Sequence, residues 1–266
     1  MGLIYSKIKK IAYKVIELIT LGNGVPTKIN GFKIKLPTKY FRLFPSDYES
    51  SNFDFYKKHV KSGDIILDIG AHIGLYAVFF AKHCKGKVYS FEPTLSTLKW
   101  LRKTVEINKC NDTVNIVPFA ISGKKGKDRF YLRDANEISF ANSLINFGDK
   151  KVDKIDGSYE VDLISIDEFV SEHGIKPNIL KIDAEGVELE LLKGAANTFL
   201  NFRPIATLGL HLFAYTNRIE TLANIWDLLV EYKMNVFIDG EPITKEFFCQ
   251  KEERVFDIQL LPNEIN

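Results

Sequence analysis

Short apolar runs alternate with amphipathic helical stretches along most of the chain. The strand-like runs lie at residues 65–69, 87–91, 114–121, 179–183, 205–210, 235–238 and 255–261. Helical periodicity fills residues 75–83, 95–108, 187–199 and 217–232. Because strands that alternate with helices form right-handed crossover units, this order predicts a parallel sheet.

The end of the chain departs from that order, because the run at 255–261 follows another strand rather than a helix. We therefore expect the last strand to enter the sheet antiparallel to its neighbours. The predicted fold class is α/β, a doubly wound, mostly parallel seven-stranded sheet with helices on both faces. Ligands of such sheets bind outside the carboxyl ends of the strands, so polar residues at those ends are the candidates for function.

Residues 1–24 carry a different pattern, which predicts a basic amphipathic helix. Its apolar stripe consists of Ile4, Ile8, Ile11, Val15 and Leu18. The lysines that lie off this stripe are Lys7, Lys10 and Lys14. Two interpretations stay open: the helix packs on its own domain or on a partner chain, including a second copy, or it lies on an anionic membrane surface.

The sequence contains no run of the roughly 20 apolar residues that a membrane-spanning helix needs. Lysines interrupt the N-terminal run too often for a secretion signal, and no small-residue cleavage site follows it. The opening residues, Met1 to Ser6, fit the short myristoylation pattern, which has meaning only in a eukaryote. We therefore expect a cytoplasmic protein, with peripheral membrane contact as the open alternative.

The rest of the chain divides into two parts. Residues 25–47 alternate apolar and polar positions, which predicts a short β preamble, and residues 48–266 contain the main domain. Within that domain, residues 122–160 form a polar insert rich in Gly, Lys, Asp and Asn. A long insert of this kind is usually a lid over a binding site or a disordered loop.

Composition excludes several classes of function. Of the 266 residues, 45% are hydrophobic, which is enough for a packed core, and 36 basic residues nearly balance 34 acidic ones. A nucleic acid is therefore not the expected partner, because binding its backbone needs a basic surface. Cys84, Cys110 and Cys249 are far apart and form no CxxC pair, which disfavours a disulfide framework and a cysteine-based zinc site.

The first candidate site lies where the strand at 65–69 ends. Asp68, Gly70 and Gly74 belong to this turn, but His72 stands where a dinucleotide fingerprint has glycine. Gly70 allows a close approach of backbone to a ligand, and Gly74 allows tight packing of the following helix on the sheet. The acid Asp68 suits a positively charged ligand, such as the ammonium group of S-adenosylmethionine.

The second candidate is Glu92, which ends the next strand 22 positions beyond Gly70. A carboxylate at about this separation accepts hydrogen bonds from both hydroxyls of a ribose. Either feature alone is common by chance. Together, on consecutive strands, they predict an adenosyl ligand.

A third group of polar residues follows two later strands. The period of two along a strand places Lys181, Asp183 and Glu185 on one side, unless the strand ends before Glu185. A structural ion pair between Lys181 and one carboxylate is the alternative to a reacting centre. His211 ends the next strand, where a packed or capping histidine competes with a catalytic one.

These motifs, in this order, resemble those of the FkbM-type methyltransferases, which use S-adenosylmethionine. The matching segments are Gly63 to Gly74, Phe91-Glu92-Pro93, Ala120-Ile121-Ser122, Ile166-Asp167, Leu180 to Gly186 with Glu188, and Lys193-Gly194-Ala195. The resemblance spans residues 48–211 and leaves the N-terminal helix outside. His72 is a departure, because the family more often has asparagine there.

The resemblance implies a class I, Rossmann-like methyltransferase that uses S-adenosyl-L-methionine for O-methylation of a hydroxyl on a sugar, glycan or glycosylated small molecule. The implied cofactor-binding residues are Asp68, Gly70, Ala71, His72, Gly74, Tyr76, Glu92, Pro93 and Ala120. The candidate catalytic residues are Asp183, His211, Lys181 and Glu185, with Asp183 or His211 as the proton acceptor. In the insert, the candidates for contacting a sugar are Phe140, Asn142 and Ser143.

Three other interpretations are weaker. A nucleic-acid methyltransferase would carry an Asn/Asp-Pro-Pro-aromatic run at residues 181–186, which the sequence lacks. A methyltransferase-fold module that binds a partner or a membrane without turnover is disfavoured by the intact Asp68, Gly70 and Glu92. A divalent metal is possible, since Asp183 and Glu185 are hard oxygen ligands. It is not favoured, because no third carboxylate has a clear spacing.

Overall fold

The computed structural model describes residues 2–132, 143–144 and 157–263, with side chains from residue 11 onward. The helices are α1 (Gly2–Ile19), α2 (Ser50–His59), α3 (Leu75–Val78), which continues as a π-helical turn at Phe79–His83, α4 (Leu95–Ile107), α5 (Ile166–His173), α6 (Glu188–Lys193), α7 (Ala196–Phe202), α8 (Arg218–Glu231) and α9 (Lys245–Cys249). The strands are β1 (Val25–Ile29), β2 (Phe32–Leu36), β3 (Ile65–Ile69), β4 (Lys87–Phe91), β5 (Val114–Val117), β6 (Ala120–Ile121), β7 (Gly126–Leu132), β8 (Gly157–Ile164), β9 (Ile179–Ile182), β10 (Ile205–His211), β11 (Met234–Ile238), β12 (Glu241–Pro242) and β13 (Val255–Pro262).

The main sheet has the order β12-β11-β13-β10-β9-β3-β4-β5. Strands β3, β4, β5, β9 and β10 pair parallel, whereas β13 pairs antiparallel with both β10 and β11. The predicted α/β class and the antiparallel last strand are therefore confirmed. The predicted count of seven strands is one short, because β11 turns back into the two-residue strand β12.

The two faces of the sheet pack against different cores. On β3, Ile66 joins a core with α2, α3 and α4, whereas Leu67 and Ile69 join a core with α5 to α8. This follows from the alternation of side chains along a strand. The same alternation puts Asp68 on the face of Ile66, directly opposite Lys181 in the neighbouring strand β9.

The predicted strand at 114–121 is wrong in extent, because the chain changes sheets within it. β5 stays at the edge of the main sheet, while β6 pairs with β8 in a separate three-stranded sheet with β7. Pro118 lies between them and has no amide hydrogen for a sheet ladder. The insert predicted at 122–160 thus begins and ends in an antiparallel pair, β7 and β8.

The predicted helix at 187–199 is two helices, α6 and α7, separated at Gly194 and Ala195. A side chain at Gly194 would press on the carbonyl oxygen of Ser122 at 2.8 Å. Helix α7 begins next to Asp167 of α5. The Asp167 carboxylate accepts hydrogen bonds from the amides of Asn197 and Thr198 at 2.9 and 2.8 Å. The free amides of α7 are satisfied by this carboxylate rather than by helix α6.

The N-terminal region forms α1 followed by the β1–β2 hairpin. In the second half of α1, Ile11, Leu18 and Ile19 are 62%, 74% and 76% exposed. The apolar stripe there is therefore not covered by the part of the chain that the structure describes. Among the described helices, none combines the length and apolar character needed to cross a membrane.

Candidate active site

Two cavities lie at the carboxyl ends of the central strands and share Gly70, His72 and Asp183 among their lining residues. The larger, about 630 Å³, contains Glu92 and is called the Glu92 cavity. The smaller, about 320 Å³, contains Glu49 and is called the Glu49 cavity. Their place outside the carboxyl ends of parallel strands is where α/β sheets bind ligands.

Gly70 forms the turn that separates the two cavities. Its φ is +73°, and an added Cβ would overlap the carbonyl oxygen of Asp183. The close approach at Gly70 is therefore made by the backbone of Asp183, the residue that follows β9. Gly74 packs its helix tightly, but against α4 rather than against the sheet, since an added Cβ would lie 2.7 Å from Leu101.

Glu92 lies on the wall of the Glu92 cavity and is buried. Its two carboxylate oxygens accept from the amides of His72 and Thr94, at 2.9 and 2.8 Å. Burial raises the pKa of this carboxyl group, while the hydrogen bonds from Thr94 and His72 and the charge of Lys181 oppose that rise. The Thr94 side chain also hydrogen-bonds to this carboxylate, so three of its roughly four acceptor positions are occupied and one remains for a ligand hydroxyl.

His72 adopts a left-handed backbone conformation with φ of +49°. Burial, helped by the charge of Lys181 and opposed by Asp183, lowers the pKa of its imidazole to about 4. The ring is therefore neutral near pH 7 and contributes shape rather than charge to both cavities.

Asp68 lies away from both cavities. It is fully buried, accepts a hydrogen bond from Ser90 Oγ at 3.2 Å and faces Lys181. Burial raises the pKa of its carboxyl group to about 6, although Lys181 and Ser90 oppose this rise. Asp68 thus acts on the site through Lys181, whose ammonium it helps to neutralise.

Lys181 takes part in the ion pair that the sequence left as an alternative. Its Nζ donates to Asp183 Oδ2 and to the carbonyl oxygen of Gly70, both at 3.1 Å. Burial lowers the pKa of Lys181, but Asp183, Asp68 and Glu49 outweigh it and hold the pKa above its usual value. The ammonium is therefore permanently charged and fixes Asp183 relative to the Gly70 turn.

Asp183, Glu185 and His211 come together and are called the acid–imidazole cluster. His211 Nε2 is 3.4 Å from Asp183 Oδ1 and 3.5 Å from Glu185 Oε2. Glu185 has left the strand, with φ of +51°, so the turn rather than the strand period directs it towards the others. Both carboxylates line the Glu92 cavity.

Glu188 contacts the imidazole of His211 at Nδ1, the ring nitrogen that does not face Asp183 and Glu185. Its Oε1 lies 2.6 Å from His211 Nδ1, and its Oε2 accepts from Tyr215 at 2.9 Å. Burial lowers the pKa of His211, but the hydrogen bond to Glu188 and the charges of Glu185, Glu188 and Asp183 raise it to about 9. The imidazole is therefore a proton donor to its neighbours at neutral pH, not a free base.

The two carboxyl groups of the cluster differ in charge. Burial would raise the pKa of Asp183, but Lys181 and His211 outweigh it and hold that pKa below its usual value. Burial raises the pKa of Glu185 to about 8, helped by the charges of Asp183 and Glu188, while His211 and Lys181 oppose the rise. Asp183 is thus the fixed negative charge at the junction of the cavities.

Most of the remaining candidates line one of the cavities. Pro93 and Ala120 line the Glu92 cavity, and Ala71 and Tyr76 line the Glu49 cavity. Ser143 donates from its Oγ to the carbonyl oxygen of Glu185 at 2.6 Å, so it supports the turn. The other two residues expected to contact a sugar, Phe140 and Asn142, lie outside the described residues.

The sequence analysis did not assign a role in the site to two residues, Glu49 and Glu188. Glu49 precedes α2 and accepts a hydrogen bond from Tyr76 at 2.7 Å, which places a carboxylate in the second cavity. No motif marks it, because its position depends on how the loop before α2 packs. Glu188 was named as a matching residue, and its position at the start of α6, close after Glu185, was the available signal.

Comparison with known proteins supports a family assignment. The chain is 31% identical over 141 residues to hexuronic acid methyltransferase AglP of Haloferax volcanii, an alignment that covers 53% of each protein. The chain thus spans about half the length of that relative.

Two solved structures are also similar. The methyltransferase FkbM from Methylobacillus flagellatus gives a TM-score of 0.48 at 14% identity, covering 78% of this chain and 50% of the other. The precorrin-6y C5,15-methyltransferase from Geobacter metallireducens gives 0.46 at 13% identity, covering 84% and 92%. Residues 68–235, more than half of the chain, match the methyltransferase FkbM domain, and the protein therefore belongs to the FkbM methyltransferase family.

Proposed function

We propose that the protein transfers a methyl group from S-adenosylmethionine to a hydroxyl oxygen of a sugar, glycan or glycosylated small molecule. Membership of the FkbM family supports the methyl transfer, and the relative named as a hexuronic acid methyltransferase supports a sugar acceptor. The observation that carries the proposal is the position of Asp183, which lines both cavities at their junction. With the two ends of the cofactor in the two cavities, their junction is where the methyl group to be transferred would lie.

The Glu92 cavity fits the adenosyl half of the cofactor. Glu92 offers a carboxylate acceptor position for a ribose hydroxyl, and Phe91, Phe119 and Ile121 supply apolar wall for the adenine. The cofactor itself supplies a methyl group activated by the sulfonium.

The Glu49 cavity fits the amino-acid end. The Glu49 carboxylate suits the α-ammonium group of S-adenosylmethionine, a role that the sequence suggested for Asp68. The structure supports this reassignment, because Asp68 is fully buried and faces Lys181, whereas Glu49 lines the cavity. Tyr76 holds the Glu49 carboxylate in place through its hydroxyl.

Asp183 is the proposed residue for the acceptor hydroxyl. Lys181 fixes one of its oxygens, so the other is held towards the Glu92 cavity and the cluster. A charged carboxylate there accepts the hydrogen bond of the hydroxyl and aligns its oxygen for attack on the methyl group.

Replacing Asp183 tests this role. Asp183→Asn keeps the shape but removes the charge, and we expect kcat to fall by about 10²- to 10⁴-fold. Cofactor affinity should change far less than it does in a Glu92 variant. Turnover is measured with labelled cofactor on a confirmed acceptor. If Asp183→Asn keeps near-normal turnover while His211→Ala loses it, the imidazole is the responsible group.

The activity itself is tested with radiolabelled cofactor and a panel of acceptors. The panel contains neutral hexoses, hexuronic acids, glycolipids and, as a contrast, RNA. We expect calorimetric binding of S-adenosylmethionine to the full chain and a mass increase of one methyl group on a sugar. Absence of cofactor binding, or methylation confined to RNA, would contradict the proposal.

The proposed cover for the apolar stripe of α1 is an anionic membrane surface. The described chain leaves Ile11, Leu18 and Ile19 exposed, and Lys14 is exposed beside them. A helix with an apolar face flanked by lysines binds such a surface through both burial and charge.

A further inference from the structure

His211 Nε2 is directed at two carboxylate oxygens without a hydrogen bond to either. The distances of 3.4 and 3.5 Å to Asp183 Oδ1 and Glu185 Oε2 exceed the roughly 2.7 to 2.9 Å of a charge-assisted hydrogen bond. His211 as a whole is only 4% exposed. The three atoms therefore lie close together without closing into hydrogen bonds.

That spacing matches the shell of a metal ion. Divalent first-row cations hold imidazole nitrogen and carboxylate oxygen at about 2.1 Å, which sets neighbouring ligand atoms about 3 to 3.5 Å apart. One ligand atom from each of Asp183, Glu185 and His211 lies within 4.8 Å of the other two. The sequence disfavoured a metal for want of a third carboxylate, but the fold supplies an imidazole as the third ligand.

In two of the three ligand residues, His211 and Asp183, the polar atom that does not face the cation already has a partner. Glu188 Oε1 lies 2.6 Å from His211 Nδ1 and holds a proton there, so the proton on Nε2 is the one that a cation would displace. Lys181 binds the second oxygen of Asp183 at 3.1 Å. Carboxylate support behind a ligating histidine is the usual arrangement around protein-bound metals.

Charge also favours a cation. The carboxylates of Asp183, Glu185 and Glu188 contact His211, and Lys181 supplies one positive charge to this group. Binding of a divalent cation displaces the protons that His211 and Glu185 otherwise hold near neutral pH, and the sum of three carboxylates, Lys181 and the cation is then zero. Buried charges are tolerated when they are balanced in this way.

We propose that Asp183, Glu185 and His211 form a binding site for one divalent first-row cation at the wall of the Glu92 cavity. The mixed nitrogen and oxygen ligands suit Mn²⁺ or Zn²⁺ better than Ca²⁺, which takes six to eight oxygens. Binding of the cation stands without the proposed methyl transfer. Its role in holding the acceptor oxygen rests on that proposed function.

The test uses the full chain, freed of metal with a chelator and titrated with Mn²⁺ in the absence of cofactor and acceptor. We expect one saturable site per chain by calorimetry and by the loss of the free Mn²⁺ signal in electron paramagnetic resonance. Pulsed measurements on the bound ion should show coupling to an imidazole nitrogen. Glu185→Gln and His211→Gln should each weaken binding at least tenfold, and His211→Gln should remove the nitrogen coupling.

Glu92→Gln is the matched control, because it changes a buried carboxylate of the same cavity that lies outside the cluster. It should keep Mn²⁺ affinity within about twofold while losing cofactor affinity. Absence of saturable Mn²⁺ binding, unchanged affinity in Glu185→Gln, or no nitrogen coupling in the unmodified chain would each overturn the proposal. The affinity of Glu185→Gln and the nitrogen coupling in the unmodified chain test the metal site even if His211→Gln does not fold. Failure of cofactor binding with intact Mn²⁺ binding would overturn the proposed function alone.

Discussion

At the scale of a single residue, the proposed role of Glu92 predicts that cofactor affinity depends on pH. Burial raises the pKa of this carboxyl group, so it takes up a proton at a higher pH than an exposed glutamate does. The protonated form accepts hydroxyl hydrogen bonds less well, and affinity for S-adenosylmethionine should therefore fall as the pH drops towards that raised pKa. Each lost charge-assisted hydrogen bond costs about 1.5 to 3 kcal/mol.

The measurement is calorimetry of cofactor binding from about pH 8 downwards, on the unmodified chain and on Glu92→Gln. The variant should bind at least tenfold more weakly at neutral pH and should lack the decline at lower pH, because a glutamine does not titrate. Far-ultraviolet circular dichroism checks that both remain folded. Parallel pH curves for the two proteins would remove Glu92 from cofactor binding.

Gly70 offers a test of the backbone at the junction of the cavities. Gly70→Ala strains a residue with φ of +73° and also drives a methyl group into the carbonyl oxygen of Asp183. Gly31→Ala, at φ of +83°, carries the same kind of backbone strain but meets nothing within 4 Å. We expect Gly31→Ala to lower the unfolding free energy by about 1 to 2 kcal/mol and Gly70→Ala by clearly more.

Denaturant unfolding measures both variants, and cofactor binding is measured on each. Gly70→Ala should also weaken cofactor binding, because the turn lines both cavities, whereas Gly31→Ala should not. Equal losses of stability in the two variants would show that the contact with Asp183 yields without cost.

The sequence identified the residues that end strands, because strand ends follow from periodicity. It placed Glu92, Asp183 and His211 at one edge of the sheet, where the structure has them. It could not find Glu49, since the loop before α2 reaches the site only through tertiary packing. It also could not show that Asp68 lies behind Lys181, because the two are neighbours only across the sheet.

At the scale of elements, Asp167 joins α5, a helix that the sequence did not predict, to α7, which the sequence merged with α6. From α5 it accepts hydrogen bonds from the amides of Asn197 and Thr198 and, at 2.7 Å, from the Thr198 hydroxyl. Asp167→Ala should lower the unfolding free energy by about 1 to 3 kcal/mol, because it leaves amides at the start of α7 without an acceptor.

Glu190→Ala is the control for this prediction, because it removes an exposed acid that pairs with Lys193 on the surface of α6. An exposed pair of this kind contributes about 0 to 1 kcal/mol. Denaturant midpoints compare the two variants at equal unfolding slopes. A loss for Asp167→Ala no larger than that for Glu190→Ala would show that water replaces the carboxylate at no cost.

Elements were predictable wherever hydrophobic periodicity continued without interruption. The sequence placed β3, β4, β10 and α8 to within about two residues, because each has a clear apolar pattern. It missed the transfer of β6 to a second sheet and the break between α6 and α7. Both depend on contacts with residues far along the chain, Leu163 and Asp167, which no local pattern contains.

At the scale of the whole molecule, α1 stands apart from the site. The described residues that line the two cavities begin at Phe44, so α1 supplies none of their walls. Deleting residues 1–22 should therefore leave cofactor affinity within about twofold. The deletion should instead abolish any contact that the exposed stripe of α1 makes.

We expect the full chain to sediment with anionic vesicles at low salt and the truncated chain to remain in solution. Burial of Ile11, Leu18 and Ile19 and attraction between Lys14 and the lipid headgroups both favour binding, and salt weakens only the second contribution. Vesicles of neutral lipid are the control and should retain less of the full chain. If the full chain stays in solution at low salt but forms a dimer that the deletion abolishes, a second copy of the chain covers α1 instead.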